Sequence, residues 1–555
     1  MHTSSGLGRG LWLLAVVGLG AGCSSSGGGG TCSVTGVAVS ANPATVSPGQ
    51  SSTLTATVTS SGCSGGVSWS ATPVGGTLSP SGTTATFVSN TTGSYTITAT
   101  STDDATKSGS ATVTVGAAVS CGTANGTVVT HTSNITASET WAGGGVTHSV
   151  PNSISINGPA TVTVQPCAIV ALGQNASITV NAGAKLLAAG TSDTAFVYFA
   201  RADNTKPWGI LRGTADTSLV ELHWTVVQGG GAFGGQYGNP AIAVAGPGYG
   251  VAPVGVLKID NVVIDTPQGV GVYLDSSAGF TADSQNLFVQ NAPDYVLEMT
   301  MMAVGTIPAG SDFSTGNAKP VVNVIGPNAN ITADLTIHKR LPVRIQTGSM
   351  TIRGAGNSPA PVTLTLEAGV QLLFPKAGVS SPGARVYFGG VGNAPNNAVG
   401  ALVAQGTPTD PVIFSSGEAS PAAGDWTGLI LLTSTGSQLD NVVIEYAGAF
   451  NGIVSTNCKP TNSTDNAALV VGDDRATTAT ESQYVPPSNL ITNSVIQHSA
   501  AHAINAIWET SAGTNTPVLT NGNIISDYVG CAQTYNKQVG GTGGGCPLGN
   551  GCTTP

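Results

Sequence analysis

Twelve consecutive positions of this chain are written twice: LHWTVVQGGGAF from Leu222 and LDNVVIEYAGAF from Leu439 align without a gap. The match belongs to a longer register. Asn134-Ile135-Thr136-Ala137 returns as Asn330-Ile331-Thr332-Ala333, and SITVNAGAKLLAAGTSDTAFVYF is echoed by VTLTLEAGVQLLF and GALVAQGTPTDPVIF. Further along, Trp208-Gly209-Ile210 answers Trp426-Thr427-Gly428-Leu429 in the same order. A long internal repeat outranks any local motif, because one supersecondary design is then being used more than once.

Smaller units recur inside each copy, with asparagine ahead of a short aliphatic strand: NVVID at Asn261, NLFVQ at Asn286, NVVIE at Asn441, NSVIQ at Asn493 and NIISD at Asn523. Spacings of about 25 residues and above predict the coils of a solenoid, in which inward Val, Ile and Leu stack on the same positions of the next coil. Asparagine suits the bend before each strand, since it tolerates left-handed φ and its amide can bond the backbone.

Composition agrees with an all-β chain. Only 8% of the 555 residues are charged while glycine numbers 77, so charged outer faces for long amphipathic helices are scarce. After the N-terminal leader no run of 18 apolar residues offers a membrane-spanning helix. A net charge of -10 with 17 Lys+Arg leaves no basic stripe for a phosphate backbone, which argues against nucleic acid as a partner.

Residues 1–22 carry Arg9, an apolar core from Leu11 to Leu19, and Gly20, Ala21 and Gly22 directly before Cys23, the pattern of a secretory leader. The ending resembles the lipobox of bacterial lipoproteins, with Gly20 where that family usually has leucine. The resemblance implies that Cys23 carries the lipid, and Ser24 after it implies the outer membrane. Residues 23–32 are rich in Ser and Gly and read as a flexible tether.

Setting Cys23 aside leaves eight cysteines, an even number that in an exported chain favours disulfides. Sequence alone permits 105 pairings of eight cysteines. Proximity favours Cys32 with Cys63, Cys121 with Cys167, Cys458 with Cys531 and Cys546 with Cys552.

Residues 33–116 alternate polar and apolar over six short stretches, 37–39, 52–58, 67–69, 84–87, 94–99 and 111–115, which predicts a β-sandwich. ANPATVSPGQSSTLTATV, VSWSA, GSYTITATS and SATVTV resemble bacterial immunoglobulin-like modules, placing Trp69 and Tyr95 in the core. Residues 120–530 resemble the right-handed parallel β-helix family related to pectate lyases, through GT..PV.F, W.G(I/L) and NV.IE segments. This implies two tandem related halves, 120–312 and 313–530, of about fifteen coils together at roughly 4.8 Å each. Residues 531–555, rich in Cys and Gly, are the expected C-terminal cap or tail.

Chemistry is thinly written. Asp473-Asp474-Arg475 is the strongest acidic cluster, and paired aspartates on a β-helix resemble polygalacturonase-like hydrolases, whose carboxylates act as acid and base. The GHG and RIK segments of that family are missing, although His498 and His502 follow. His498 aligns with Thr266 of the first copy, and His502 with Val270. A lyase would need calcium and a basic residue, for which His338, Lys339, Arg340 and Arg344 are available. Trp208 and Trp426 read as packing residues in matched positions, with sugar stacking as the alternative. No GxSxG, Walker, HExxH or EF-hand pattern occurs.

The expected function is that of a non-catalytic, lipid-anchored surface scaffold for adhesion or for binding polysaccharide or matrix. The alternatives are a polysaccharide lyase or glycoside hydrolase, which requires carboxylates of the second copy to converge, and a spacer without ligand.

Overall fold

A computed structural model of the chain describes residues 32–42, 44–46, 51–89, 91, 93–115, 121, 124, 126–233, 238–249, 251–326, 329–346, 349–352, 362–377, 385–388, 400–432, 434, 436–449, 466–472, 486–507, 509–511, 517–534 and 537–539. The chain is all-β and divides into two compact units, Met1–Ala117 and Ala118–Pro555.

The first unit follows from strict alternation. Ser51–Ser61 buries Ser52, Leu54 and Ala56 while its odd-numbered residues face water, as a half-covered strand must. Two four-stranded sheets form. One orders Ser33–Asn42, Ser51–Ser61, Thr84–Val88 and Thr77–Ser81, and the other Thr45–Val46, Ser108–Val115, Gly93–Ser101 and Val67–Thr72. Leu54 and Phe87 from the first meet Tyr95, Ile97 and Val113 from the second in one core.

All six expected strands are present, with Thr45–Val46 and Thr77–Ser81 in addition. Thr77–Ser81 contains Pro80 and lies at a sheet edge, where the missing N–H is tolerated. Tyr95 is in the core as expected. Trp69 is not fully enclosed: it packs partly buried against the core and donates its indole N–H to the Gly82 carbonyl at 3.1 Å.

The second unit is built on long parallel sheets, an arrangement compatible with a parallel β-helix. A 13-stranded sheet runs from Ile154–Ile156 to Ile524–Ile525, each strand pairing in parallel with its counterpart one coil later. One inward row passes from Ile154 through Ile178, Leu211, Ile242, Val272 and Leu297 to Val322, and continues through Phe414 and Ile444 to Ile525. Twelve intervals of about 4.8 Å make this sheet roughly 60 Å across. The fifteen or so expected coils compare with thirteen strands in this sheet.

The remaining faces change partway along. Up to Gln290 an 11-stranded sheet lies beside the 13-stranded one, and from Ala329 a 6-stranded and a 5-stranded sheet replace it. Between them lies the 3-10 segment Met301–Thr306, whose Met301, Met302, Ala303 and Val304 are buried. Only the 13-stranded sheet crosses this junction among the described strands, through Tyr295–Met299 and Lys319–Val324. Parallel pairing extends past residue 530, where Lys537–Val539 pairs with Glu509–Ser511.

Candidate functional site

The bends that separate strands place the polar side chains. In the 11-stranded sheet, Leu219–Gln228 and Val254–Asp265 are long strands bent at Trp224 and Asn261, and Gln285–Gln290 carries Asn286 at the same point. All three residues have left-handed φ, 38°, 57° and 56°. Asn441 and Asn493 adopt it as well, both at 50°. The amides bond mainly to neighbouring side chains, which corrects the expected backbone bond. Asn286 Nδ2 donates to Asn261 Oδ1 at 3.0 Å, Asn261 Nδ2 to Asp260 Oδ1 at 2.8 Å, and Asn493 Nδ2 to Asp440 Oδ1 at 2.8 Å. Asn523 keeps the backbone role, accepting the Ser494 N–H at 2.8 Å.

Directly before these bends the outward residues of the 11-stranded sheet form a compact ionic group. The register sets Leu187, Glu221 and Lys258 side by side, and likewise Ala189, His223, Asp260 and Gln285. His223 Nε2 lies 2.8 Å from Glu221 Oε1, and His223 Nδ1 lies 3.2 Å from Asp260 Oδ2. Lys185 is paired with Glu221, and Lys258 reaches Glu221 at 3.4 Å and Asp283 at 2.7 Å.

Both imidazole nitrogens of His223 face carboxylates, which only accept when ionised, so the surroundings favour the doubly protonated ring. The hydrogen bond to Asp260 raises its pKa, burial opposes this, and the bond to Glu221 adds to the rise. Burial alone would push the Glu221 carboxyl up, yet the hydrogen bonds from Lys185 and His223 and their charges hold it at about 2. With His223 protonated, three cations (Lys185, Lys258 and His223) balance three carboxylates (Glu221, Asp260 and Asp283).

A second polar corner follows the strands of the 13-stranded sheet. Tyr446, His498 and Asp527 occupy it on three successive coils, all with left-handed φ, at 59°, 54° and 51°. The Tyr446 and His498 rings stack at 4.9 Å and 12°. His498 Nδ1 bonds Asp527, and its Nε2 has no partner among the described residues. Beside the corner, Ser415 and Gln497 both donate to the Glu445 carboxylate, at 2.8 and 2.9 Å.

Of the residues singled out in the sequence, His498 is therefore placed in a His–Asp pair. Cys23, Asp473, Asp474, Arg475, Cys458, Cys546 and Cys552 lie outside the described residues. Cys32–Cys63 and Cys121–Cys167 are disulfides, and Cys531 is disulfide-bonded as well. His502 Nδ1 accepts the Cys531 N–H at 2.8 Å. The basic segment is engaged in pairs: His338 with Glu367 at 2.7 Å and Lys339 with Asp410 at 2.6 Å. Trp208 and Trp426 are fully buried, and each indole donates to a backbone carbonyl, of Gln228 at 2.7 Å and of Glu445 at 2.8 Å. They are packing residues with no face open to a sugar.

The ionic group around His223 was not anticipated. Asp260 lies 37 residues from His223 in sequence, and the one available signal was the likeness of HWTVVQ to DNVVID, which sets His223 over Asp260. Glu221 and Asp260 of the first copy converge on His223, while Asp473 and Asp474 of the second lie outside the described residues. Among the described residues the grouping of three metal-ligand types that comes together is Cys32, Cys63 and Asp103, and both cysteines are already in a disulfide. No helix among the described residues is long and apolar enough to cross a membrane. No protein-family model, curated protein or solved structure matches the chain.

Proposed function

We propose that the chain is a lipid-anchored surface scaffold whose β-helix binds polysaccharide. The observation that carries this reading is the outer face of the 11-stranded sheet, where donors and acceptors repeat from coil to coil on Lys185, Glu221, His223, Lys258, Asp260 and Gln285. A rigid array at coil spacing suits a polymer that repeats its own hydroxyls. The finer fold belongs to the same reading: an immunoglobulin-like module followed by a right-handed β-helix of two related halves. The matched indole bonds of Trp208 and Trp426 support the duplication.

Purified protein incubated with immobilised neutral and acidic polysaccharides should be retained without releasing new reducing or unsaturated ends. Absence of retention on every polysaccharide would leave the spacer reading. Anchoring through Cys23 is tested by Cys23→Ala and membrane fractionation, where continued membrane retention counts against it.

One observation favours a hydrolytic alternative. His498 is held by Asp527 at Nδ1 while Nε2 has no partner among the described residues, the arrangement of an oriented general base. Release of reducing ends by the wild type and its loss in His498→Ala would establish that alternative.

A further inference from the structure

The column of bends that carries Trp224 is otherwise filled by residues suited to it. Asn261, Asn286 and Gly310 succeed one another with φ of 57°, 56° and 68°. Asparagine and glycine tolerate this conformation, whereas a bulky aromatic there is an outlier, and such outliers gather at functional sites. Trp224 also interrupts the amide ladder, so that Asn261 turns its Nδ2 to Asp260 instead. The preceding coil carries Gly190 beside this bend, where a Cβ would come within 2.2 Å of the Trp224 backbone carbonyl oxygen.

Trp224 differs from the other described tryptophans of this unit. Trp141, Trp208 and Trp426 are fully buried, and each indole nitrogen has an acceptor. Trp224 is partly exposed, and nothing among the described residues accepts its indole N–H. It is adjacent in sequence to His223, so the aromatic bend borders the balanced ionic group.

We infer that Trp224 and the His223 group form a subsite for a neutral, hydroxyl-rich sugar ring, a step that rests on the polysaccharide-binding reading above. The indole face carries negative quadrupole charge and attracts the partly positive C–H face of a pyranose, and the free N–H can donate to a ring hydroxyl. Lys185, Lys258, Glu221, Asp260 and Asp283 supply donors and acceptors for the remaining hydroxyls. Three cations matched by three carboxylates leave no surplus positive charge for a uronate, and an added carboxylate would compete with Glu221 and Asp260 for the same lysines and imidazole.

The test is isothermal titration of the full-length protein with a neutral hexasaccharide of β-linked glucose and with hexagalacturonate. Wild type should bind the neutral oligosaccharide more tightly than the acidic one. Trp224→Asn should weaken that binding about tenfold or more, as expected for a lost stacking contact. Asparagine already fills this bend at Asn261 and Asn286, so the variant should fold with a Tm no more than about 2 °C below wild type. Trp224→Phe should keep affinity within about threefold, since it restores an aromatic face. Equal binding by Trp224→Asn, or binding of hexagalacturonate alone, overturns this subsite and leaves the polysaccharide-binding reading standing. Failure of wild type to bind any immobilised or soluble glycan overturns both.

Discussion

At the scale of single residues, His223 couples protonation to the ionic group around it. Its two nitrogens face Glu221 and Asp260, and its folded pKa is raised above the ordinary value of about 6.5. A raised basic group stabilises fully below its unfolded pKa, and that contribution is lost as pH climbs through the folded pKa. Glu221, Asp260 and Asp283 are shifted the opposite way, so they stabilise above about pH 4 and fail only as pH falls toward about 2 for Glu221 and Asp283. The cluster is therefore strongest at about pH 5 to 6. The Tm deficit of His223→Gln relative to wild type should be largest there and shrink by about pH 9. A deficit that grows steadily toward alkaline pH would show that the ring is neutral in the fold.

Individual elements are held by repeated local devices, of which the buried tryptophans are the plainest. Trp208 closes against the carbonyl at the end of Leu219–Gln228, and Trp426 against the carbonyl at the end of Val442–Glu445, with Phe374 stacked on Trp426 at 4.3 Å. Replacing either indole by phenyl keeps most apolar contact and leaves a partly buried carbonyl without this donor, a loss of about 1–3 kcal/mol. Trp208→Phe and Trp426→Phe should therefore lower stability by similar amounts in chemical denaturation, and a large inequality would mean that the two sites are packed differently. These devices were legible beforehand because a tryptophan closely followed by glycine recurs at matched places and asparagine introduces several of the strands. The polar sites were not. Coil lengths vary, so His223 meets Asp260 after 37 residues and His498 meets Asp527 after 29, and contacts across coils cannot be read until the register is known. Trp224 was hidden for a different reason: inside an alternating apolar run it reads as one more strand residue, and only its φ of 38° sets it apart.

For the second unit as a whole, the weak point is the junction near residue 300, where the flanking sheets change and the 13-stranded sheet continues. Stability in stacked folds is a sum of each layer's own stability and its contact with the next, so cooperativity depends on every interface in the series. Here the interface consists of Tyr295–Met299 paired with Lys319–Val324, together with the buried turn Met301–Thr306. Val322 is fully buried in the inward row, between Leu297 and Val343. Val322→Asp places an unpaired charge there, which costs several kcal/mol even after relaxation. Two blocks that melt together through an intact interface should then separate, giving two calorimetric transitions for the second unit in Val322→Asp against one in wild type. A single transition, merely shifted to lower temperature, would mean that the two blocks are coupled by more than this sheet and turn.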